Sequence, residues 1–394
     1  MPVLNRRQLM LAAAAPWATL SLAGAAGHAP QRLVFVILRG GMDGLMAVAA
    51  PGDPAFEAAR GALAQAASPW LPLAGPFALH PLLPELHRQY QAGEALVVHA
   101  TGLPYRERSH FDAQQVLESG GTRPYELSTG WLGRALAASG QRGVAMATAV
   151  PLVLRGAQDV DTWAPSVLPE PATDLVGRLQ RLYADDPALS HALARARGLR
   201  DDPALQATGM GGMEAGGGAP RQAAALARKA ADFLRADGGQ RVAVLEMGGW
   251  DSHTNQNAPN GAAASNLRTL DAALAALRDG LQQGGSSAWS HTAVVVATEF
   301  GREVAPNGTG GTDHGSGGVA FVLGGAVRGG RVLADWPGLA PAQRHEGRDL
   351  RITTDLRSVL RPLLAQHLRV PRVALDRDVL PGSAGLRDAE LLRG

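Results

Sequence analysis

Five runs of apolar, largely β-branched residues constrain the fold of this chain more than any other feature of its sequence. They cover residues 31–38, 95–100, 241–246, 292–298 and 319–323. Strands that are buried on both faces of a sheet carry continuous runs of this kind. Strands with one face exposed to solvent alternate apolar and polar residues instead. Segments with helical periodicity separate the runs. The pattern therefore predicts an α/β protein with fully buried central strands.

Side chains capable of chemistry follow four of these runs. Each lies shortly after the end of a predicted strand: Asp43, Ser109, His110, Asp251, His253 and Glu299. Open α/β sheets bind their ligands outside the carboxyl ends of the strands, so we expect these groups to meet at one edge. The alternative interpretation makes Asp43 a turn residue and Ser109 the N-cap of a helix, roles in which both residue types are common.

A glycine-rich loop, residues 306–318, precedes the fifth run. Six glycines in it surround the neighbouring residues Asp313 and His314. Glycine permits positive φ and lets the backbone approach other groups closely. A carboxylate beside an imidazole on such a loop suits a metal ion or an anionic substrate. A long flexible turn is the alternative interpretation.

Carboxylates and neutral imidazoles together form a ligand set for a divalent metal ion. The predicted metal ligands lie at the strand ends and in the glycine-rich loop: Asp43, Asp251, His253, Glu299, Asp313 and His314. Zn²⁺ or Mn²⁺ fits this set, with Mg²⁺ and Ca²⁺ as alternatives. A bound divalent ion lowers the pKa of its water to about 7 and stabilises developing oxyanion charge, as a hydrolase requires.

Other residues would serve an anionic ester. Ser109 and His110 are the predicted catalytic residues, because they begin a helix beside several arginines. Arg39, Arg106 and Arg302 are the predicted anion contacts. The sequence contains no G-x-S-x-G, H-E-x-x-H or G-x-x-x-x-G-K-[ST] motif, so these common hydrolase and nucleotide-binding signatures are excluded.

The first 29 residues have the features of an export signal. Arg6 and Arg7 precede an apolar stretch at 9–23, and small residues suited to cleavage come after it. The stretch is too short, and too broken by Pro16, to span a membrane. We therefore predict export by the twin-arginine machinery to the periplasm or the exterior. A soluble amphipathic helix is the alternative interpretation.

Composition excludes several classes of partner and of ligand site. Without residues 1–29 the chain has 35 basic and 35 acidic residues and no basic run, so no nucleic-acid partner is predicted. The chain lacks cysteine, which excludes disulfides and thiolate ligands. No later segment has 18 uninterrupted apolar residues, so no membrane span is predicted for the mature chain.

The domain organisation also follows from composition. Residues from about 170 to 237 are rich in Ala, Leu and Arg and are interrupted by glycines at 209–218. They predict a helical insertion with a flexible hinge inside a single α/β domain that covers 30–394. We predict a surface tail for 370–394.

Five of the motifs occur together in one known family. They are RGGMDG at 39–44, RSHFDAQ at 108–114, GWDSH at 249–253, TEFGR at 298–302 and GTDHG at 311–315. As a set they resemble the exported family called domain of unknown function 1501, which is placed in the alkaline phosphatase and sulfatase-like clan. The resemblance extends over nearly the whole mature chain. It implies a three-layer sandwich with a central, mostly parallel sheet and a metal site at the strand ends.

The resemblance also implies roles for individual residues. In the clan pattern Asp43 would bridge the metal site and Ser109 would be the nucleophile. Asp251 and His253 would bind one metal, whose site His314 would complete. The chain departs from the pattern at Glu299-Phe300, where clan members usually carry Asp-His.

Two functions of different class emerge as hypotheses. The first is an exported metal-dependent hydrolase of phosphate or sulfate esters, acting on a small anionic ester or a cell-envelope substrate. The second is a non-catalytic exported binding protein that keeps the same fold.

Overall fold

The computed structural model describes residues 30–157, 159–165, 171–201 and 218–393. The predicted signal peptide at 1–29 and the predicted hinge glycines at 209–217 lie outside the described residues. The strands are β1 (Arg32–Leu38), β2 (Val48–Ala49), β3 (Leu71–Pro72), β4 (Ala78–Leu79), β5 (Ala95–Gly102), β6 (Gly143–Ala145), β7 (Val160–Thr162), β8 (Val242–Met247), β9 (Thr292–Thr298), β10 (Gly318–Leu323), β11 (Arg331–Leu333) and β12 (Thr354–Asp355).

Helices connect these strands. They are α1 (Gly44–Ala47), α2 (Phe56–Arg60), α3 (Pro84–Gln91), α4 (His110–Ser119), α5 (Trp131–Ser139), α6 (Thr173–Leu182), α7 (Pro187–Asp201), α8 (Gly218–Arg235), α9 (Ala262–Gln282), α10 (Leu356–Pro362) and α11 (Arg372–Ala374). None of the described helices is long and apolar enough to cross a membrane.

The large sheet has the strand order β11-β5-β10-β9-β1-β8-β6-β7, and β12 also pairs with β5. Among its described strands only β10 runs antiparallel to its neighbours, β5 and β9. Leu38 at the end of β1 lies opposite Met247 of β8 and Thr298 of β9. Because β10 reverses direction between β9 and β5, the carboxyl ends of β1, β5, β8 and β9 lie at one edge of the sheet.

The side chains of the central strand enter two separate cores. Those of Val34, Val36 and Leu38 join one hydrophobic cluster, and those of the alternate residues 33, 35 and 37 join the other. Helices α3, α8 and α9 cover the first face, and α4, α5 and α10 cover the second. Full burial of each such side chain contributes about 1.5–3 kcal/mol. The mixed α/β fold with a central, mostly parallel sheet confirms the prediction.

The carboxyl-terminal region differs from the prediction. We predicted a surface tail for 370–394, but Leu375, Val379 and Leu391 are buried in the second core. The buried Arg361 also pairs with Asp388 at 2.9 Å. The helical turns in this region are too short to show an amphipathic period in the sequence, and apolar contact with α5 and α10 holds them.

The predicted helical insertion contains two kinds of helix. Helices α6 and α7 are largely exposed along their length. Helix α8 instead buries Phe233 and Leu234 in the first core and packs along α9. Helix α8 therefore belongs to the layer that covers the sheet.

Candidate metal centre

The edge formed by the carboxyl ends of β1, β8 and β9 brings three predicted motifs together. Residues 39–43 follow β1, 248–253 follow β8, and 299–302 follow β9. The loop at 306–317 packs against the second and third of these segments through backbone hydrogen bonds, including one of 3.2 Å from a 312 amide to a 252 carbonyl. Because three neighbouring parallel strands end here, side chains distant in sequence meet.

Close packing explains the glycines of that loop. A Cβ atom on Gly311 would overlap the backbone of His253, and a Cβ on Gly315 would overlap the backbone of Arg302. The Gly315 amide donates to the Gly301 carbonyl at 2.9 Å. Glycine is required because two backbones touch, and this contact carries His314 into the site.

Three imidazoles and one carboxylate converge at the edge. Nε2 of His314 lies 3.0 Å from Nε2 of His110 and 3.1 Å from Nε2 of His253. Oδ1 of Asp251 lies 2.8 Å from Nε2 of His253 and 3.2 Å from Nε2 of His314. The other oxygen, Oδ2, lies 3.4 Å from Nε2 of His110. We call these four side chains the His/Asp cluster.

Each imidazole of the His/Asp cluster also makes a hydrogen bond through its other nitrogen, Nδ1, on the side away from the cluster. Nδ1 of His110 lies 2.9 Å from Oε1 of Glu299, and Nδ1 of His253 lies 3.0 Å from Oδ1 of Asp313. Nδ1 of His314 lies 3.0 Å from the carbonyl oxygen of Arg108. A carboxylate or carbonyl oxygen only accepts, so in each case Nδ1 carries the proton and donates it.

A proton on each Nδ1 leaves three Nε2 lone pairs in neutral rings that point at one another. Lone pairs 3.0 Å apart repel unless a proton or a cation lies between them. Protons alone satisfy the cluster only when His110 and His253 are both imidazolium, one donating to His314 and the other to Asp251. One divalent cation supplies the same two positive charges at a single point.

The separations within the cluster suit a transition-metal ion. Ligand atoms about 2.0–2.1 Å from Zn²⁺ in a tetrahedron lie roughly 3.3 Å apart. The observed separations between neighbouring ligand atoms run from 2.8 to 3.4 Å. The donor atoms of His110, Asp251 and His314 all lie within 4.8 Å of one another, and His253 is not part of this mutually close group. An oxygen acceptor on the second ring nitrogen is also typical of metal-binding histidines. The residues therefore fit a divalent metal.

Ionisation at the site follows from burial and hydrogen bonding. The hydrogen bond with Glu299 raises the pKa of His110, and burial lowers the pKa of His314. Burial alone would raise the pKa of Asp251, but a hydrogen bond from Arg302 and its positive charge lower it. Asp251 is therefore held as a carboxylate, and His314 as a neutral ring able to offer a lone pair.

The family of the chain follows from a comparison with family models. Residues 90–374 match the model described as "Protein of unknown function (DUF1501)". The chain belongs to the DUF1501 family. The matched range contains all four side chains of the His/Asp cluster, and Glu299 and Asp313 behind them, but Arg39 and Asp43 lie before it. The comparison with curated proteins yields no match.

Solved structures similar to this DUF1501 chain include a phosphonate monoester hydrolase of Agrobacterium radiobacter, 12% identical, covering 86% of this chain and 74% of that one at a TM-score of 0.40. A sulfatase, PsFucS1 from Pseudoalteromonas sp., is 12% identical, and the match covers 89% of this chain and 69% of the sulfatase at a TM-score of 0.41. A Vibrio parahaemolyticus protein of the alkaline phosphatase superfamily is 10% identical, and the match covers 80% of this chain and 65% of that protein at a TM-score of 0.40. Scores this low carry no argument about activity.

Asp43 lies outside the His/Asp cluster of the DUF1501 chain. Its Oδ1 accepts from the amides of Leu45 and Met46 at the start of α1. Its Oδ2 accepts from Arg60 and from Gln256, each at 2.6 Å. The carboxylate is therefore fully paired, and metal ligation by Asp43 stays a prediction that requires Arg60 and Gln256 to release it.

The three predicted anion contacts differ in their surroundings. Arg39 pairs with Glu118 at 2.9 Å and with Glu246 at 2.8 Å. The Arg302 side chain is buried and donates to the carbonyls of residues 40, 41, 250 and 312 and to Oδ1 of Asp251. Arg106 is exposed and makes no hydrogen bond or ion pair with any described residue. Of the three, Arg106 has its guanidinium free for a ligand.

Sequence reasoning missed how the site is supported. We predicted His110 as a catalytic residue and Glu299 as a metal ligand, whereas the structure places the imidazole in the cluster and Glu299 behind it. It also missed Arg60, because a polar residue inside a helical segment gives no sign by itself that it faces a site, and it missed Gln114. Gln114 donates to Oε1 of Glu299 at 3.0 Å. Its position four residues after His110, on the same face of α4, is a signal that sequence alone offered.

Proposed function

We propose that this protein is an exported, metal-dependent hydrolase of phosphate or sulfate esters. The observation that carries the proposal is the convergence of three imidazole Nε2 atoms and the carboxylate of Asp251, with Ser109 next to His110 in the chain. A divalent ion would satisfy that cluster, and with His110, Asp251 and His314 as its ligands it would keep a fourth position for an anionic ligand. The substrate class follows from that positive charge and from the free arginine nearby.

His110, Asp251 and His314 would hold the ion, and His253, whose Nε2 lies 3.1 Å from that of His314, would be a further ligand. Three nitrogen donors with one carboxylate favour Zn²⁺ or Mn²⁺ over Mg²⁺ and Ca²⁺, which prefer oxygen ligands. When bound, such an ion neutralises charge on the ester and on the attacking and leaving oxygens. The chain's own contribution is to fix three ring tautomers through Glu299, Asp313 and the Arg108 carbonyl.

Ser109 is the proposed nucleophile. It is the N-cap residue of α4 by backbone position, but its side chain makes no capping hydrogen bond. It lies between Arg108, whose carbonyl holds His314, and His110 of the cluster. In the proposed reaction Oγ bonds to phosphorus or sulfur, the bond to the alcohol oxygen breaks, and the serine proton leaves with the alcohol. Water then hydrolyses the serine ester.

Arg106 is the proposed contact for the ester's anionic oxygens. It precedes α4 by four residues, on the loop that carries Ser109. Its guanidinium has no described partner to give up, whereas Arg39 and Arg302 would each break ion pairs to reach a ligand. The amino terminus of α4 favours negative charge at the same place.

Export is part of the proposal. Its support is the twin-arginine pair Arg6-Arg7 followed by an apolar stretch. The twin-arginine machinery carries folded proteins, which suits a chain that takes up its metal before it is exported. Periplasmic or extracellular esters, including cell-envelope components, would then be the accessible substrates.

A panel of phosphate, phosphonate and sulfate esters tests the function. We expect the purified protein to hydrolyse at least one ester class when loaded with Zn²⁺ or Mn²⁺. Chelation should abolish the activity and the same metal should restore it. A protein that binds the metal but turns over no ester of the panel would contradict hydrolysis and favour the binding-protein hypothesis.

A further inference from the structure

A cavity of about 560 Å³ lies beside the His/Asp cluster, at the carboxyl end of β8. The end of β8 and helices α8 and α9 supply most of its walls. The apolar part of its lining includes Met146, Ala223, Leu226, Leu245, Met247 and Trp250. A concave, mainly apolar site of this volume is typical of the pockets that take small organic molecules.

Two lining residues connect the cavity to the cluster. Trp250 directly precedes Asp251. The guanidinium of Arg302 donates to the carbonyl of Trp250 at 3.1 Å and to Oδ1 of Asp251 at 2.5 Å. Glu246 also lines the cavity, and its carboxylate pairs with Arg39 at 2.8 Å. A molecule in the cavity would therefore lie against the segment that presents Asp251.

The polar side chains of the described lining are Gln222, Glu246, Asn266 and Thr269. Asn266 donates to the carbonyl of Gly249 at 2.6 Å, and the hydroxyl of Thr269 donates to the carbonyl of Ser265 at 2.8 Å. Glu246 is the one ionisable residue among the described lining, and it shares the guanidinium of Arg39 with Glu118. The described lining therefore contains one carboxylate and offers no positive charge to a ligand.

One buried donor in the lining lacks an acceptor. Trp250 is 5% exposed, and its indole Nε1 makes no hydrogen bond with any residue that the structure describes. Buried indole N–H groups usually find a partner, and a donor left without one is unfavourable. The nitrogen atom is itself buried, so an oxygen atom on a molecule in the cavity would satisfy it once the ring turns towards the cavity.

We propose that this cavity binds the alcohol portion of the ester. It would select an uncharged, mainly apolar group, such as an aryl ring system, that carries a hydrogen-bond acceptor. That the bound group belongs to an ester rests on the proposed function, whereas binding of an uncharged, mainly apolar molecule in the cavity does not. The apolar walls disfavour a charged alcohol, and the carboxylate of Glu246 further disfavours an anionic one.

Binding of 4-phenylphenol, measured by isothermal titration on the metal-loaded protein, tests the cavity without any turnover. Ala223→Trp would fill the space, because this residue lines it on α8. Ala225→Trp is the matched control: it lies on the same helix, about 200° around the axis, and is not part of the lining. We expect Ala223→Trp to weaken binding about tenfold or more and the control to leave it unchanged.

A second variant and a kinetic measurement sharpen the test. Trp250→Phe keeps an aromatic ring and removes the N–H, so it should weaken the binding of 4-phenylphenol severalfold. If esters are hydrolysed, the ratio of kcat/KM for 4-phenylphenyl over methyl esters should fall in Ala223→Trp and not in Ala225→Trp. Absence of binding by the wild-type protein, or equal binding by both alanine variants, would overturn the proposal. Binding without hydrolysis of any ester would keep the cavity assignment and reject the hydrolase.

Discussion

Nδ1 of His110 lies 2.9 Å from Oε1 of Glu299, and Glu299 is buried beneath the His/Asp cluster. The same oxygen accepts from the amide of Gly40 at 2.8 Å and from the side chain of Gln114 at 3.0 Å. Burial alone would raise the pKa of Glu299, but hydrogen bonds from His110 and Gln114 lower it. An ionised, immobile carboxylate therefore sets the tautomer and the orientation of the imidazole.

Replacing that carboxylate should weaken metal binding. Glu299→Gln keeps an oxygen acceptor for Nδ1 but removes the charge that makes the ring a better donor to a metal. We expect Zn²⁺ affinity to fall by about 10–100-fold, as for other partners of metal-binding histidines. Competition with a chromophoric chelator measures this. Glu94→Gln is the control, because Glu94 pairs with Arg278 away from the cluster. Equal affinity in both variants would show that Glu299 does not support the site.

Metal binding should release protons. Without metal the cluster is satisfied by two extra protons, and the hydrogen bond with Glu299 raises the pKa of His110. Protons therefore compete with the metal, and Zn²⁺ affinity should fall as pH falls through the histidine range, about pH 8 to 5. Titration calorimetry in buffers of different ionisation enthalpy counts the protons. Affinity independent of pH across this range would contradict the lone-pair argument.

The metal should stabilise the fold through His253. A ligand at 100 times its Kd adds about 2.7 kcal/mol to the free energy of unfolding. His253→Ala should remove this gain while changing the stability of the chelated protein little, because the side chain is partly exposed. Differential scanning calorimetry with and without chelator separates the two effects. A metal-dependent shift that persists in the variant would exclude His253 as a ligand.

Asp251→Ala should behave differently from His253→Ala. Asp251 accepts from the buried guanidinium of Arg302 at 2.5 Å. Its removal leaves a buried charged donor without one of its acceptors, which costs about 1–3 kcal/mol whether or not metal is present. Unfolding by denaturant after chelation should therefore show a loss in Asp251→Ala and almost none in His253→Ala. Equal stabilities of the two chelated variants would refute the role assigned to Arg302.

Ser109→Ala separates a nucleophile from a helix cap. The side chain makes no capping hydrogen bond, so the free energy of unfolding should change by less than about 0.5 kcal/mol. As the proposed nucleophile, Ser109 should be essential for turnover, and metal content should stay unchanged. Ester assays, elemental analysis and denaturation on this variant give all three quantities. An active variant would move the attack to water at the same site.

Burial of His99 should make stability depend on pH. Its Nε2 donates to the Val48 carbonyl at 3.0 Å and its Nδ1 accepts from the Ala100 amide at 2.8 Å, with Phe77 stacked on the ring. Burial lowers the pKa of His99 from 6.5 to about 4. The unfolded chain therefore binds a proton in this range that the folded chain does not. The stability contributed by neutral His99 is fully present above pH 6.5 and is lost as pH falls towards 4.

A variant isolates this contribution. The shift corresponds to a loss on the order of 3 kcal/mol between these pH values. His99→Gln should flatten that part of the stability curve, measured by denaturation at several pH values. His345→Gln, which replaces a partly exposed histidine, is the control. A wild-type slope in His99→Gln would assign the pH dependence to other groups.

The strands were predictable because their signal is local. The apolar runs predicted strands at 292–298 and 31–38, and the structure has them at Thr292–Thr298 and Arg32–Leu38. The buried turns after 370 were not predictable, since three to five residues do not display a helical period. Their burial depends on contact with α5, which no local pattern encodes.

The candidate site shows the same division. Strand-end logic named His110, Asp251 and His253, because parallel strands that are buried on both faces deliver the segments at their carboxyl ends to one edge of the sheet. The glycine-rich loop named His314. Neither signal distinguished the carboxylates that touch the cluster from those behind it. Asp43, Glu299 and Asp313 carry the same chemical group, yet Arg60 pairs with the first while histidines pair with the other two.

The sequence by itself determined the buried strands, the glycine-rich loop and the residue types available at the edge of the sheet. These properties depend on side-chain chemistry and on spacing along the chain. Only the tertiary structure decided that His110, His253 and His314 face one another while Asp43 faces Arg60. The reason is that hydrogen-bond partners are chosen within about 3 Å in space, and Arg60 and Asp43 are 17 residues apart whereas His110 and His314 are 204 apart.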